Sequence, residues 1–321
     1  MDRVNIALLA GGWSGEREIS LKSGEAVYHA LSKEKYDVTM YDPLHNLTAL
    51  VERKEEIDLA FILLHGKYGE DGCIQGLLDI FGIPFVGSGV LSSAMALNKS
   101  VSKEMFRSTG LTVAEDIMLR RGESFSATPI IERLGLTTVV KPVAEGSSLG
   151  TSVCRTREEL VEGIEKAFRF NQDVMVEKYI DGLEVTCCVL GNRTLETLPL
   201  IEIMPGTSYR FFDYNAKYTA DATREICPAR LSRSLTERAW DCAKMAHKAL
   251  KCSVWSRTDM IIQDETIYLL ETNTLPGMTE NSLFPLAAKA AGLSFPELLD
   301  RLIFLSLELA GEYRNSPDKP C

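Results

Sequence analysis

The sequence predicts an α/β protein with a parallel sheet at its N-terminal end. Three observations carry this. The first ninety residues alternate apolar strands with amphipathic helices, a β-α-β pattern that calls for parallel pairing. At 321 residues the chain exceeds one small core and suits two or three lobes. Glycine-rich turns, GGWSGE and HGKYGEDG, follow two of the strands, where ligands of parallel sheets collect.

Taken in order, RVNIALLA reads as a buried strand. SLKSGEAVYHALSK reads as a helix with Ala26, Val27, Ala30 and Leu31 on one face. YDVTMYD and LAFILLHG are further strands, GCIQGLLDIFG a helix and IPFVGSG another strand with a glycine turn. The helix-rich LSSAMALNKSVSKEMFRSTG closes at Gly110, and RRGESFSATP is a polar connector. TTVVKPVAEGSSLGTSVCRT reads as strand, glycine-serine loop, strand; REELVEGIEKAFRF is a helix; DVMVEKYIDGLEVTCCVLG is strand, turn, strand. PGTSYRFFDYNAKYTADATREICP has no clean period and is long, aromatic and polar, the composition of an ordered functional loop. A capping box of Ser234 and Glu237 opens a helix that runs to Leu250. SRTDMIIQDETIYLLETN is a hairpin, and a last helix runs near Pro296 to Ala310 before a polar tail.

Composition excludes some classes. A formal net charge of −10 argues against a nucleic-acid partner, which needs a basic surface. Apolar runs such as LAFILL are far too short to span a membrane. The N-terminal stretch lacks the basic region and cleavage site of a signal peptide, so a cytoplasmic protein is expected. Eight cysteines occur without a CxxC pair, which points to reduced thiols and no zinc ribbon.

The hairpin carries the sharpest chemical signal. Its turn near Asp264 and Glu265 sets residues whose numbers sum to about 529 or 530 opposite each other. Asp259 then faces Glu271 or its neighbour, and Asn273 shares the face of Glu271. Like charges across a ladder are destabilising, and the apolar neighbours MII and IYLL imply burial. An Mg²⁺ or Mn²⁺ ion shared with nucleotide phosphates would resolve the conflict; a solvated charged face is the competing reading. In KPVAEGSSLG, Lys141 and a nest of amides around Gly146, Ser147, Ser148 and Gly150 suit phosphate oxygens, against the alternative of a plain flexible turn. No Walker P-loop occurs, nor the HRD or DFG of a protein kinase. Glu177 to Ile180 and Glu184 fit either an adenosine contact or surface charge. Glu16 either holds an ammonium or complements a helix dipole.

In this order the motifs LLAGGWSGEREIS, LHGKYGEDGCIQGLLD, VGSGVLSSAMALNKSVSK, VVKPVAEGSSLGTSV, VEKYIDGLEVT, FFDYNAKY, SRTDMII and ETNTLPGMTENSLFPLAA resemble those of the D-alanine–D-alanine ligases of the ATP-grasp superfamily, from Val4 to about Leu309. The resemblance implies a three-lobed ATP-grasp architecture: an N-terminal Rossmann-like preATP-grasp lobe over 1–95, a central lobe over 96–182, a C-terminal lobe over 183–312 and a tail over 313–321. It implies ATP-dependent joining of two D-alanines through a D-alanyl phosphate, for peptidoglycan precursors, with two Mg²⁺ (or Mn²⁺) ions and a homodimer. Lys99, Lys141 and Ser148 would hold phosphates. Glu177 and the Lys178, Tyr179 and Ile180 backbone would hold adenine, with Glu184 on the ribose. Asp259, Glu271 and Asn273 would hold the metals, while Arg257 and the Gly277 amide would stabilise the reacting oxyanions. Ser282 and Leu283 would take the second substrate's carboxylate, and Glu16, near His65, the first substrate's ammonium. Glu16, Ser147 and Tyr218 would fasten a loop over the site, and Lys217 with Tyr218 marks D-alanine as second substrate. The pattern departs at Asn98, Phe212, Ala222 and Glu280. The competing readings are a ligase using D-serine or D-lactate and a non-catalytic nucleotide-binding protein.

Overall fold

The computed structural model describes residues 3–205 and 223–314. Strands β1 (Val4–Leu9), β2 (Tyr36–Tyr41) and β3 (Leu59–Ile62) pair in parallel in the order β2-β1-β3. Ile6 to Leu9 are buried throughout, as a central parallel strand covered on both faces requires. Helices α1 (Arg17–Ala30) and α2 (Pro43–Glu52) make or begin the crossovers. The sequence reading did not anticipate α2, although Asp42 caps it by accepting from the Leu44 amide and Pro43 sits at its first position. The expected strand IPFVGSG is not formed. It touches β3 through one bridge, Ala60 to Phe85, beside Pro84, which has no N–H to extend a ladder.

After α3 (Cys73–Ile80) the helix-rich stretch divides into α4 (Val90–Leu97) and α5 (Lys99–Ser108). The break falls at Asn98, whose Oδ1 accepts from the Val101 amide at 3.1 Å. Asn98 thus caps α5 well, as a side-chain acceptor at this position should.

The second sheet is antiparallel, with β4 (Asp116–Arg120), β5 (Thr138–Pro142), β6 (Ser152–Cys154) and β7 (Asp173–Lys178) in the order β4-β7-β5-β6. Helices α6 (Ala127–Leu134) and α7 (Arg157–Ala167) bury Ile130, Leu134, Leu160 and Ile164 against Val140, Val174 and Val176. The polar connector is shorter than expected, because α6 begins inside it with Pro129 in the first turn.

The third sheet contains β8 (Leu183–Leu190), β9 (Glu196–Thr197), β10 (Ile201–Pro205), β11 (Thr223–Ile226), β12 (Trp255–Gln263) and β13 (Thr266–Asn273), in the order β11-β10-β8-β12-β13 with β9 on β8. β7 and β8 do not pair with each other: the turn between them carries the chain from the second sheet to the third. A Cβ on Gly182 in that turn would lie 2.4 Å from the Ile262 carbonyl oxygen, so only glycine fits.

Helix α8 (Arg233–Ala249) packs its Ala239, Ala243 and Ala246 against Val185, Cys187, Val189 and Met260. Its cap corrects the sequence reading. Ser232, not Ser234, accepts from the Leu235 amide at 3.3 Å, and Glu237 instead accepts from Arg233 at 2.8 Å. Helices α9 (Leu283–Ala290) and α10 (Phe295–Arg314) return to the parallel sheet. Leu298, Leu302, Phe284 and Trp255 share one core with Leu8 and Phe61, whereas the second sheet keeps a core of its own. The cysteines among the described residues are free thiols.

His247 of α8 is 1% exposed and meets Ser256 Oγ through Nδ1 at 2.7 Å, while its Nε2 has no partner. Burial pushes its pKa down to about 4. The unfolded chain therefore binds this proton first, and the folded state loses stability as pH falls from about 6.5 towards 4, by about 3 kcal/mol at most. His247→Gln should flatten that part of the stability–pH curve measured by urea denaturation, leaving the curve above pH 7 parallel to wild type.

Candidate active site

The β12–β13 register places Asp259 opposite Glu271 and Arg257 opposite Asn273, with a bulge after Asp259 that shifts the pairing to Met260 opposite Leu269. Both sums expected from the turn therefore occur, one on each side of the bulge. Asp259 is 7% exposed. Arg257 grips both its oxygens, Nε to Oδ1 at 2.9 Å and the terminal nitrogen to Oδ2 at 2.8 Å. Thr186 Oγ1 donates to Oδ1 at 2.5 Å, and the Asn273 amide reaches Oδ2 at 3.3 Å. Burial alone would lower the Arg257 pKa, but Asp259 outweighs it and holds the guanidinium firmly charged. Glu271 is met by Lys99 Nζ at 3.1 Å, and the same ammonium donates to the Glu145 carbonyl at 2.7 Å.

Two carboxylates and an amide oxygen form a hard, all-oxygen set that fits Mg²⁺ or Mn²⁺. Among the described residues no group of three or more His, Cys, Asp or Glu side chains gathers as a metal site. A cation here would thus rely on the Asn273 amide and on ligand oxygens as well as on Asp259 and Glu271.

A second acid pair faces the first across the cleft. Asp116 of β4 lies directly opposite Glu177 of β7. Lys103, fully buried, reaches between them, 2.6 Å from Glu177 Oε1 and 2.9 Å from Asp116 Oδ1, and also donates to the Ala114 carbonyl at 2.8 Å. Lys141 pairs with the other Glu177 oxygen, and Arg107 with Asp116. Burial would raise the Glu177 carboxyl, yet Lys141 and Lys103 together hold it below the usual range. The Lys178 and Tyr179 amides donate to the Glu115 and Thr137 carbonyls. A base reaching this strand end is therefore left with backbone carbonyls and the Ile180 amide.

The glycine-serine loop bends through two left-handed serines, Ser147 (φ +47°) and Ser148 (φ +58°), and then Gly150 at φ +75°. Such backbone is strained for serine. Ser147 Oγ donates to Glu16 Oε1, tying this loop to the start of α1. A Cβ on Gly146 would come within 2.8 Å of Glu16 Oε2 and 3.6 Å of Glu70 Oε2, so this glycine admits two carboxylates at once. Burial, and then the neighbouring Glu16 charge, push the Glu70 carboxyl up to about 8, against the Gly66 amide, which donates to it at 2.6 Å. His65 is 8% exposed with Nε2 unpartnered, and burial lowers its pKa despite Glu16. Asp42 organises the turn before α1: its carboxylate takes the Gly12 amide at 3.0 Å and pairs with Arg17, which donates to the Gly12 carbonyl at 3.1 Å. A Cβ on Gly11 (φ +95°) would strike Asp42 at 2.7 Å.

Two cavities meet here. The larger, about 930 Å³, is lined by Lys99, Lys141, Ser148, Glu177, Lys178, Tyr179, Ile180, Glu184, Asp259 and Glu271 among others. The smaller, about 330 Å³, adjoins it and is lined by Glu70, Gly146 and Asn273; Lys99, Glu145 and Glu271 line both. Gly277 and Ser282 lie on the loop entering α9, and Leu283 is the first residue of that helix. There the Ser282 hydroxyl turns back to accept from the Thr279 amide at 3.0 Å and does not cap its own helix. Lys217 and Tyr218 fall outside the described residues. Reading the sequence missed Lys103, Asp116, Glu70 and the Asp42–Arg17 pair. Lys103 carried a signal, lying one helical turn after Lys99 on the same face. Glu70 carried another, inside the quoted HGKYGEDG motif.

The chain is similar to known proteins over nearly its whole length. Residues 105–304 match the family model for the D-ala D-ala ligase C-terminus and 42–88 that for the N-terminus. The chain is 54% identical over 307 residues to a D-alanine–D-alanine ligase of Syntrophobacter fumaroxidans, covering 96% of this chain and 99% of that one. It is 51% identical to one of Desulfotalea psychrophila, covering 96% of each. Among solved structures, the D-alanine–D-alanine ligase of Bacillus anthracis complexed with ATP superposes with a TM-score of 0.85 at 36% identity, covering 97% of this chain and 99% of that chain. The VanG D-Ala:D-Ser ligase of Enterococcus faecalis gives 0.82 at 33% identity, covering 95% and 100%.

The strain at Ser147 can be separated from its hydrogen bond. Ser147→Ala loses the hydroxyl and keeps a Cβ at positive φ, whereas Ser147→Gly loses both. The glycine variant should be the more stable of the two by about 1 kcal/mol in chemical denaturation. Equal stabilities would show that the left-handed backbone is not populated in solution.

Proposed function

The chain belongs to the D-alanine–D-alanine ligase family and is an ATP-using enzyme that joins two D-alanines, and we propose that its two adjoining cavities divide the work between nucleotide and amino acids. The carrying observation is the shared boundary. Lys99, Glu145 and Glu271 line both chambers, so a phosphoryl group and a substrate carboxylate would meet there.

On this reading ATP lies in the larger cavity. Lys99, Lys141 and the Ser148 loop take its phosphates. Glu177 and the Lys178–Ile180 backbone take the adenine, and Glu184 the ribose. Asp259, Glu271 and Asn273 would hold Mg²⁺, which would supply positive charge against the phosphate oxygens. Glu16 receives the ammonium of the first D-alanine, whose carboxylate oxygen attacks the γ-phosphorus and displaces ADP. The second D-alanine rests its carboxylate on Ser282, Leu283 and the open N-terminus of α9. Its amine gives up a proton, for which the neutral His65 has a free ring nitrogen. The amine then attacks the acyl carbon, and phosphate leaves to give the dipeptide. Arg257 and the Gly277 amide stabilise the oxyanions on the way. The link from Ser147 to Glu16, completed by Tyr218, closes the loop over the acyl phosphate and keeps water out.

The product suits peptidoglycan precursor synthesis in the cytoplasm. The lobes are assigned as 1–95, 96–182 and 183–312. No helix among the described residues is long and apolar enough to cross a membrane. The exposed Ile80, Val90 and Leu91 of α3 and α4 support a homodimer through the N-terminal lobe.

The test is ADP and phosphate release with ATP, Mg²⁺ and D-alanine, with the product identified by mass. Parallel reactions use L-alanine and D-alanine mixed with D-serine or D-lactate. D-alanine alone should give the dipeptide; turnover only with a mixed pair would overturn the reading of Lys217 and Tyr218. Asp259→Asn should lower kcat by about 10²-fold or more and raise the Mg²⁺ concentration required.

A further inference from the structure

Lys103 is the largest fully buried charged side chain among the described residues, and no step above uses it. Its ammonium sits between two carboxylates that the β4–β7 register forces together. Paired like charges on a ladder repel, and removing one partner of a buried pair is costly. Glu177 spends one oxygen on Lys103 and the other on Lys141, whose ammonium also lines the nucleotide cavity. If Lys141 turns to a phosphate, only Lys103 remains to neutralise the buried Glu177.

We propose that Lys103 is a positioning residue for nucleotide binding: as the fixed counter-ion of Glu177, it lets Lys141 exchange Glu177 for phosphate. This rests on the nucleotide reading of the larger cavity. Two kinds of cation surround Glu177. Lys103 and, through Asp116, Arg107 come from α5, and the Lys103 ammonium is held by Glu177, Asp116 and the Ala114 carbonyl together. Lys141 of β5 faces the cavity and can leave. The groups facing Glu177 are thus Lys103 from α5, Asp116 from β4 and Lys141 from β5, with the Met175 sulfur 4.0 Å from the Lys103 ammonium.

The sign follows. Without Lys103, an ionised Glu177 keeps Lys141 for itself, and ATP must compete for it. Lowering the pH favours the protonated carboxyl, which releases Lys141, so recovery of ATP affinity runs towards low pH. In wild type Lys103 and Lys141 hold Glu177 ionised, so its contribution is flat over the same range.

The experiment measures ATP affinity by equilibrium binding at pH 6 and pH 8 for wild type, Lys103→Met, Lys103→Arg, Asp116→Asn and Lys141→Met, with thermal stability recorded for each. Lys103→Met should bind ATP about tenfold more weakly at pH 8 and recover at least half of that loss, on a logarithmic scale, at pH 6. Lys103→Arg should stay within about twofold of wild type. Asp116→Asn leaves Glu177 as the one carboxylate on Lys103 and should bind ATP as tightly as wild type or up to threefold tighter. This arm stands even if Lys103→Met does not fold. Wild-type affinity in Lys103→Met, an equal loss at both pH values, or weakened binding in Asp116→Asn overturns the proposal. Wild-type affinity in Lys141→Met overturns the nucleotide reading itself, and this proposal with it.

Discussion

Two pairs of carboxylates stand directly opposite each other on antiparallel ladders, Asp259 with Glu271 and Asp116 with Glu177. Such pairs repel, and both are largely withdrawn from water. The chain answers with cations aimed at each: Arg257 and Lys99 at the first pair, Lys103, Lys141 and Arg107 at the second. Buried ion groups are poor sources of stability in themselves. Their retention makes sense as preparation for a ligand carrying both phosphate charge and metal.

The smaller chamber is built on a different economy of charge. Glu70 lines it with its carboxyl pushed up to about 8, and Glu16 approaches the same Gly146 from the side of α1. The chamber's geometry is set at a distance: Asp42 fastens the Gly12 turn to α2, and the Ser147 hydroxyl brings a loop of the second sheet against α1.

Much of this was legible in the residues. The hairpin arithmetic located Asp259, Glu271 and Asn273 because strand periodicity and a short turn leave little freedom. The residues after β1 and β3 declared themselves through glycines at positive φ, Gly11, Gly12 and Gly66. The helical spacing from Lys99 put Lys103 on the right face, but its pairing with Asp116 and Glu177 was not legible, because that role arises where an unrecognised strand, β4, meets a helix face, and no local period reports that meeting. IPFVGSG misled through its apolar composition, while Pro84 denied it a ladder. Ser234 misled because two serines two residues apart both satisfy capping spacing, and only the backbone reveals which leaves the helix. Glu177 looked like a surface charge on a hairpin for a related reason: the turn after it does not join paired strands.

That turn has a mechanical consequence. Glu177 ends a strand of the second sheet and Glu184 lies near the start of a strand of the third, with Gly182 packed against the Ile262 carbonyl between them. The two sheets bury separate cores, and this crossing is one of several struts between the two plates, beside α5, whose Lys99 pairs with Glu271 and Lys103 with Glu177, and the Leu269 amide on the Thr112 carbonyl. The spacing of the two carboxylates is therefore a gauge of the angle between the plates. A nucleoside spanning both would act as a splint, and the same bond set that selects the ligand would also select one angle of the cleft.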